Sequence, residues 1–191
     1  MEKRRGKSSI LIWLIILVVG AALFVSYQKK KQQEIESGPL GQMKTPEGAA
    51  FVYIRGVNSF KQKSAMGTGG AQDVLLAVTK DDEDWFKKNQ DSIYEARRAG
   101  LNDFIGYNST TTVEESVFAL HELLSGSPNR DDSTIAGKEI SGDRARLTIE
   151  QGTAYGGSLT FVMDLKKEGA LWKVDGFCGQ RAQLEREIAG L

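Results

Sequence analysis

His121 is the only histidine and Cys178 the only cysteine in this chain of 191 residues. Zinc chemistry asks for several His or Cys ligands, so no structural tetrahedron can be drawn from one of each, and no metal is expected. A Ser-His-Asp triad would pair His121 with a serine in a Gly-x-Ser-x-Gly elbow, which the sequence lacks. His121 follows Val117 by four residues, which puts it beside the buried side of a helix as a structural or surface histidine. Cys178 has only Arg181 as a basic neighbour and reads as a small apolar residue at a strand end, not as a thiolate nucleophile. Asp81, Asp82, Glu83 and Asp84 lack the alternate-residue spacing and the glycine of a calcium loop, and are expected to complement a positive helix end. Gln62 to Gln72, with Gly67-Thr68-Gly69-Gly70 at its centre, has neither a preceding strand nor Gly-Lys-Ser/Thr, so it is read as a mobile loop and not as a phosphate cradle. Asp103 and Tyr107 stand four apart in LNDFIGY, but Gly106 interrupts them.

The elements that must position these groups change character along the chain. Thr45-Pro46-Glu47 opens a helix, with Thr45 as N-cap, Pro46 at the first helical position and an apolar stripe of Ala50, Phe51, Ile54 and Val57. Asp73 to Val78 is compatible with a short helix or a strand. A second helix follows, with acids in its first turn, Arg97 and Arg98 in its last and Gly100 as its stop. Thr111 and Glu114 have capping-box spacing for a third, which buries Val113, Val117, Leu120 and Leu124 and ends at Gly126 and Pro128. Asn108-Ser109-Thr110 has the form of a glycosylation acceptor.

From Ser133 the period becomes two. Ile135 to Ile140 and Arg144 to Gln151 are expected as strands joined at Ser141-Gly142-Asp143. Leu159, Phe161, Met163 and Leu165 then alternate with polar residues, Glu168-Gly169 turns the chain, and Trp172 and Val174 resume the pattern. Val162 interrupts the wet row of its strand. The expected fold is α+β, with about three helices packed on one face of a curved four-stranded antiparallel sheet. Arg181 to Leu191 is a closing helix or tail.

The front of the chain is different. Ile10 to Tyr27 carries no charge, and a helix of that length spans roughly 27 Å, close to a bilayer core. A cleaved signal peptide is the competing assignment, with Val19-Gly20-Ala21 or Gly20-Ala21-Ala22 as the cleavage site. The apolar run continues through Leu23, Phe24 and Val25, which favours an uncleaved anchor. No cysteine directly follows, as a bacterial lipid anchor would require. Lys3, Arg4, Arg5 and Lys7 before the span against Lys29, Lys30 and Lys31 after it lean towards a cytoplasmic N-terminus and an exported domain. Residues 32–191 hold 18 basic and 24 acidic residues, a poor balance for phosphate binding, so nucleic acid is not an expected partner. The organisation is a basic tail (1–9), an anchor (10–27), a linker (28–44), the α+β domain (45–178) and a C-terminal helix or tail (179–191).

Three stretches, TPEGAAFVYI, KEISGDRARLTIE and SLTFVMDLKKEGALWKVDGF, resemble the nuclear transport factor two-like superfamily. They are most similar to its small membrane-anchored bacterial domains of unknown function, whose last strand ends in a Trp-Lys-Val/Ile-Asp pattern, here Trp172 to Asp175. The resemblance implies a conical sheet wrapped around a helix, with an open end able to hold an apolar cavity lined here by Leu159, Phe161, Met163, Trp172 and Val174. Enzymes of the superfamily are expected to bury an acid, a Tyr or a His in the cone, which makes His121, Asp103, Tyr107, Tyr94 and Tyr53 the candidates. They form no convincing base and acid pair. The expected function is that of a non-enzymatic, membrane-anchored module on the periplasmic side of a bacterial inner membrane. It would bind a protein partner or small apolar ligand without a cofactor, and its sheet could seat a second copy. The alternative is a small isomerase, cyclase or dehydratase using the cone cavity.

Overall fold

A computed structural model describes residues 38–65, 71–97 and 115–189. The expected anchor (10–27), the Gly67–Gly70 centre of the expected loop, Asp103, Tyr107, the Asn108 tripeptide and the Thr111/Glu114 cap lie outside the described residues, while the ends of that loop, 62–65 and 71–72, are helical and not loop. No helix among the described residues is long and apolar enough to cross a membrane. Contacts divide the chain into Met1–Gly41 and a unit of Gln42–Leu191.

The described elements run α1 (Pro39–Gln42), α2 (Pro46–Ala65), α3 (Ala71–Leu75), α4 (Lys80–Arg97), α5 (Glu115–Leu123), β1 (Thr134–Ser141), β2 (Arg144–Gly152), β3 (Ser158–Glu168), β4 (Leu171–Val174) and α6 (Gln180–Ala189). The fold is α+β, and the strands form one antiparallel meander in the order β1-β2-β3-β4. Both tight hairpins turn on a glycine in the left-handed region, Gly142 at φ +60° and Gly169 at φ +62°. That geometry suits the first central position of a type II′ turn.

Thr45 caps α2 as its sequence requires, its Oγ1 accepting the Gly48 N–H at 3.1 Å. The helix buries Ala49, Ala50, Val52, Tyr53, Ile54, Val57 and Phe60, a wider face than the four-residue stripe. Against it lie Leu147, Ile149, Met163, Leu165 and Val174 from the sheet, and Leu120, Leu123 and Leu124 from α5 and its end. Each such side chain contributes about 1.5–3 kcal/mol by leaving water.

Both options for Asp73 to Val78 are realised in succession. Ala71–Leu75 is helical, and Val78 then makes a parallel bridge to Val174. The outer edge of β4 is thereby closed. The Val174 N–H donates to the Ala77 carbonyl (2.9 Å), the Thr79 N–H to the Val174 carbonyl (3.0 Å) and the Trp172 N–H to the Met43 carbonyl (2.8 Å). An edge strand saturated in this way cannot template another chain. Met43 lies in the expected linker, yet it is fully buried.

The greasy row of β3 is covered along only part of its length. Met163, Leu165, Trp172 and Val174 are buried and Phe161 is partly so, whereas Leu159, opposite Gln151 at the far end of the hairpin, is 50% exposed. On the other face Val162 is 52% exposed. β4 pairs with β3 only from Leu165 onward, so among the described residues the first half of β3 has no strand on that side.

Candidate functional site

A heavily bonded polar centre joins the start of α4 to the turn after β4. Thr79 is the N-cap of α4, its Oγ1 accepting the Asp82 N–H at 3.3 Å. Asp82 is fully buried. Its carboxylate accepts the Thr79 hydroxyl (2.6 Å), the Gly176 N–H (2.7 Å) and Arg181 Nη1 (2.9 Å). Arg181 also binds Asp81 (2.6 Å) and Glu185 (2.8 Å), and it lies 5.1 Å from the centroid of the Trp85 ring. Burial opposes its charge, but the bonds to Glu185, Asp81 and Asp82 hold its pKa above the ordinary arginine value.

This centre holds an unusual turn. Gly176, Phe177, Cys178 and Gly179 all have positive φ, with Phe177 at +49° and Cys178 at +58°. Two consecutive non-glycine residues in the left-handed region are costly, so the surroundings must over-determine them. Phe177 is fully buried with its ring edge on Phe86 (6.4 Å), Cys178 Sγ lies 3.3 Å from the Val162 carbonyl, and the Gly176 N–H is held by Asp82. The acids of α4 thus tie two helices and a strained turn together. Glu83 pairs with Lys80 and Lys87, and Asp84 with Lys80, so all four acids are engaged.

Tyr53 is fully buried at the centre of α2, its hydroxyl 3.0 Å from Ser127 Oγ. Burial, with the neighbouring Cys178 and Asp82, pushes its pKa well above the ordinary tyrosine value. The Cys178 thiol is pushed up to about 12 by burial and by Asp164. Neither group is poised to ionise near neutrality, and a buried thiol of this kind is inert. Tyr94 packs edge-on against Phe118 at 5.7 Å.

His121 is part-buried on α5, with Nδ1 3.5 Å from the adjacent Glu122. Its pKa is lowered, chiefly by burial, with Glu122 opposing and Lys61 assisting. Lys61 is itself lowered by burial. Of the five candidates, Tyr53, Tyr94 and His121 can be placed, and each has a packing or hydrogen-bonding role. Among the described residues no group of three or more His, Cys, Asp or Glu could hold a metal ion.

No family model, curated protein or solved structure matches the chain.

The outer face of the sheet is wet and ion-paired. Arg146 makes a two-pronged contact with Asp164 (2.7 and 3.1 Å), and Arg144 reaches Asp175 at 3.3 Å. These side chains flank an open depression of about 530 Å³ with Glu139 and Ile140 on its rim. Inside, Gln151 is buried at the end of β2, its Oε1 accepting the Asn129 and Arg130 N–H groups (2.7 and 3.1 Å), which pins the connection between α5 and β1.

Asp82, Arg181 and Gln151 escape a sequence reading for one reason. Their partners are 94, 99 and 22 residues away. The one local signal was Thr79-x-x-Asp82, the spacing of a cap with an acid at its third helical position.

Proposed function

We propose that this chain is a single-pass, membrane-anchored, extracytoplasmic module of the nuclear transport factor two-like type, which binds a protein partner or small apolar ligand and catalyses no reaction. The observation that carries this proposal is the filling of the space between sheet and helices by the chain's own side chains. Tyr53, Phe60, Phe177, Met43, Leu120, Leu147 and Ile149 are all fully buried there. The polar groups among them are spent on structural bonds, as with Tyr53 to Ser127 and Asp82 to Arg181. An isomerase or cyclase would instead keep an acid or base facing an empty chamber.

A docking surface has two apolar components on the first half of β3, Leu159 on one face and Val162 on the other, with Tyr155 fully exposed in the preceding turn. Apolar groups exposed on both faces of one strand end suit a protein partner that contacts both faces. The charge-free run from Ile10 to Tyr27 supports the tether.

The test is photo-crosslinking in intact cells. A benzoylphenylalanine at Val162 or Leu159 of the full chain is expected to give a discrete adduct, and one at Gln183 on α6 is not. An adduct of twice the chain's mass would identify the partner as a second copy. Silence at both β3 positions would refute the proposal.

A further inference from the structure

A groove of about 640 Å³ lies between α3, α4 and the hairpin of β3 and β4. Its floor is apolar, made by Leu75, Leu76, Val78 and Phe86, and Leu76 is 37% exposed. Its size falls within the range of small-molecule sites.

The charges on its rim are unequally satisfied. Glu83 is clamped between Lys80 and Lys87 (3.2 and 2.5 Å), and both oxygens of Glu168 accept the Lys80 backbone N–H (3.1 and 3.2 Å). Lys80 has Asp84 as a further partner at 2.8 Å. Lys173 differs, because its ammonium donates to the Leu76 carbonyl, and among the described residues it has no carboxylate at ion-pair distance. It is half-buried, and burial lowers its pKa while Glu168 and Glu83, at longer range, pull the other way. A desolvated ammonium bonded to one neutral oxygen, beside an apolar floor, has donor capacity left for an anion.

We propose that this groove binds a small apolar monocarboxylate, its hydrocarbon part on Leu75, Leu76, Val78 and Phe86 and its carboxylate on Lys173 Nζ. The apolar part removes exposed Leu76 surface from water, and the carboxylate supplies the contact counter-charge that Glu168 and Glu83, at longer range, do not. The groove's other cations, Lys80 and Lys87, are already paired with Glu83 and Asp84, so one negative charge is the complement and a dianion is not.

The probe is 2-naphthoate, with uncharged 2-naphthamide as its control. Binding to the full chain in lipid nanodiscs is followed by saturation-transfer NMR, with empty nanodiscs as the blank. Saturable binding of naphthoate is expected with a Kd below about 1 mM, a threshold that a few contacts suffice to reach. Lys173→Met should weaken naphthoate by about tenfold or more, the usual scale of a charge-assisted hydrogen bond, and leave naphthamide unchanged. Lys173→Arg should restore most of the affinity. Leu76→Glu, at a position 37% exposed, should weaken both compounds. Absence of saturable naphthoate binding would overturn the proposal, as would binding indifferent to both Lys173→Met and Leu76→Glu.

Discussion

Asp82→Ala is expected to be among the most damaging single truncations outside the apolar core. The change leaves the part-buried Gly176 N–H without its acceptor at 2.7 Å and the buried Thr79 hydroxyl without its acceptor at 2.6 Å, and it removes the most buried of the three carboxylates around Arg181. Breaking a buried charge pair from one side costs about 3–5 kcal/mol. Here part of that is recovered, because Arg181 is 23% exposed and keeps Asp81 and Glu185. A net loss of about 2–4 kcal/mol follows once the solvent-screened share is discounted. For a body of this size each kcal/mol moves the midpoint by about 2–4 °C, so Tm should fall by roughly 10 °C. Thermal melts of the full chain in mild detergent, followed by tryptophan fluorescence, would measure it. Arg181→Met should cost less, and the double variant should cost less than the sum of the two single changes. A loss below about 1 kcal/mol for Asp82→Ala would refute the idea that this carboxylate holds the left-handed turn in place.

Gly56→Ala should destabilise despite the gain of about 1 kcal/mol that helix propensity alone assigns to it. A Cβ at Gly56 would meet the Asp73 carbonyl oxygen at 2.9 Å and its carbon at 3.1 Å, both backbone atoms of the crossing segment, and equilibrium unfolding would reveal the sign. The depressed His121 pKa sets a pH window. Below the ordinary value of 6.5 the unfolded chain takes up a proton that the folded chain refuses until the lower folded pKa is reached, so stability falls on acidification through that interval. His121→Gln should flatten the fall in Tm between pH 7.5 and 5. Glu47, whose carboxyl is depressed first by its bond to Lys138, acts in the same sense only at lower pH. Tyr155→Cys should react with a membrane-impermeant maleimide on intact cells if the domain is exported. Labelling only after lysis would reverse that topology.

The period-two stretches and the two glycine hairpins were legible because a half-buried sheet writes its sidedness into alternate residues and its turns into positive-φ positions. Thr45-Pro46 announced α2 for a similarly local reason. The exposure of Leu159 was not legible, since alternation reports which face a side chain occupies and not how far the helices extend over that face. The structural role of Tyr53 was not legible either, since its partner Ser127 is 74 residues away and no spacing points to it. The strained Gly-Phe-Cys-Gly turn was hidden as well, because two non-glycine residues at positive φ contradict local preference and persist through contacts made elsewhere.

The native reactivity of Cys178 tests most directly whether the space under the sheet is filled. This thiol is 8% exposed, packs against the Val162 carbonyl and belongs to the same buried cluster as Tyr53 and Met163. Modification by a small reagent such as methyl methanethiosulfonate should be slow in buffer and should accelerate with denaturant in step with global unfolding. Rapid modification of the folded chain, insensitive to denaturant, would mean that small molecules enter the interior and would contradict a helix-plugged sheet.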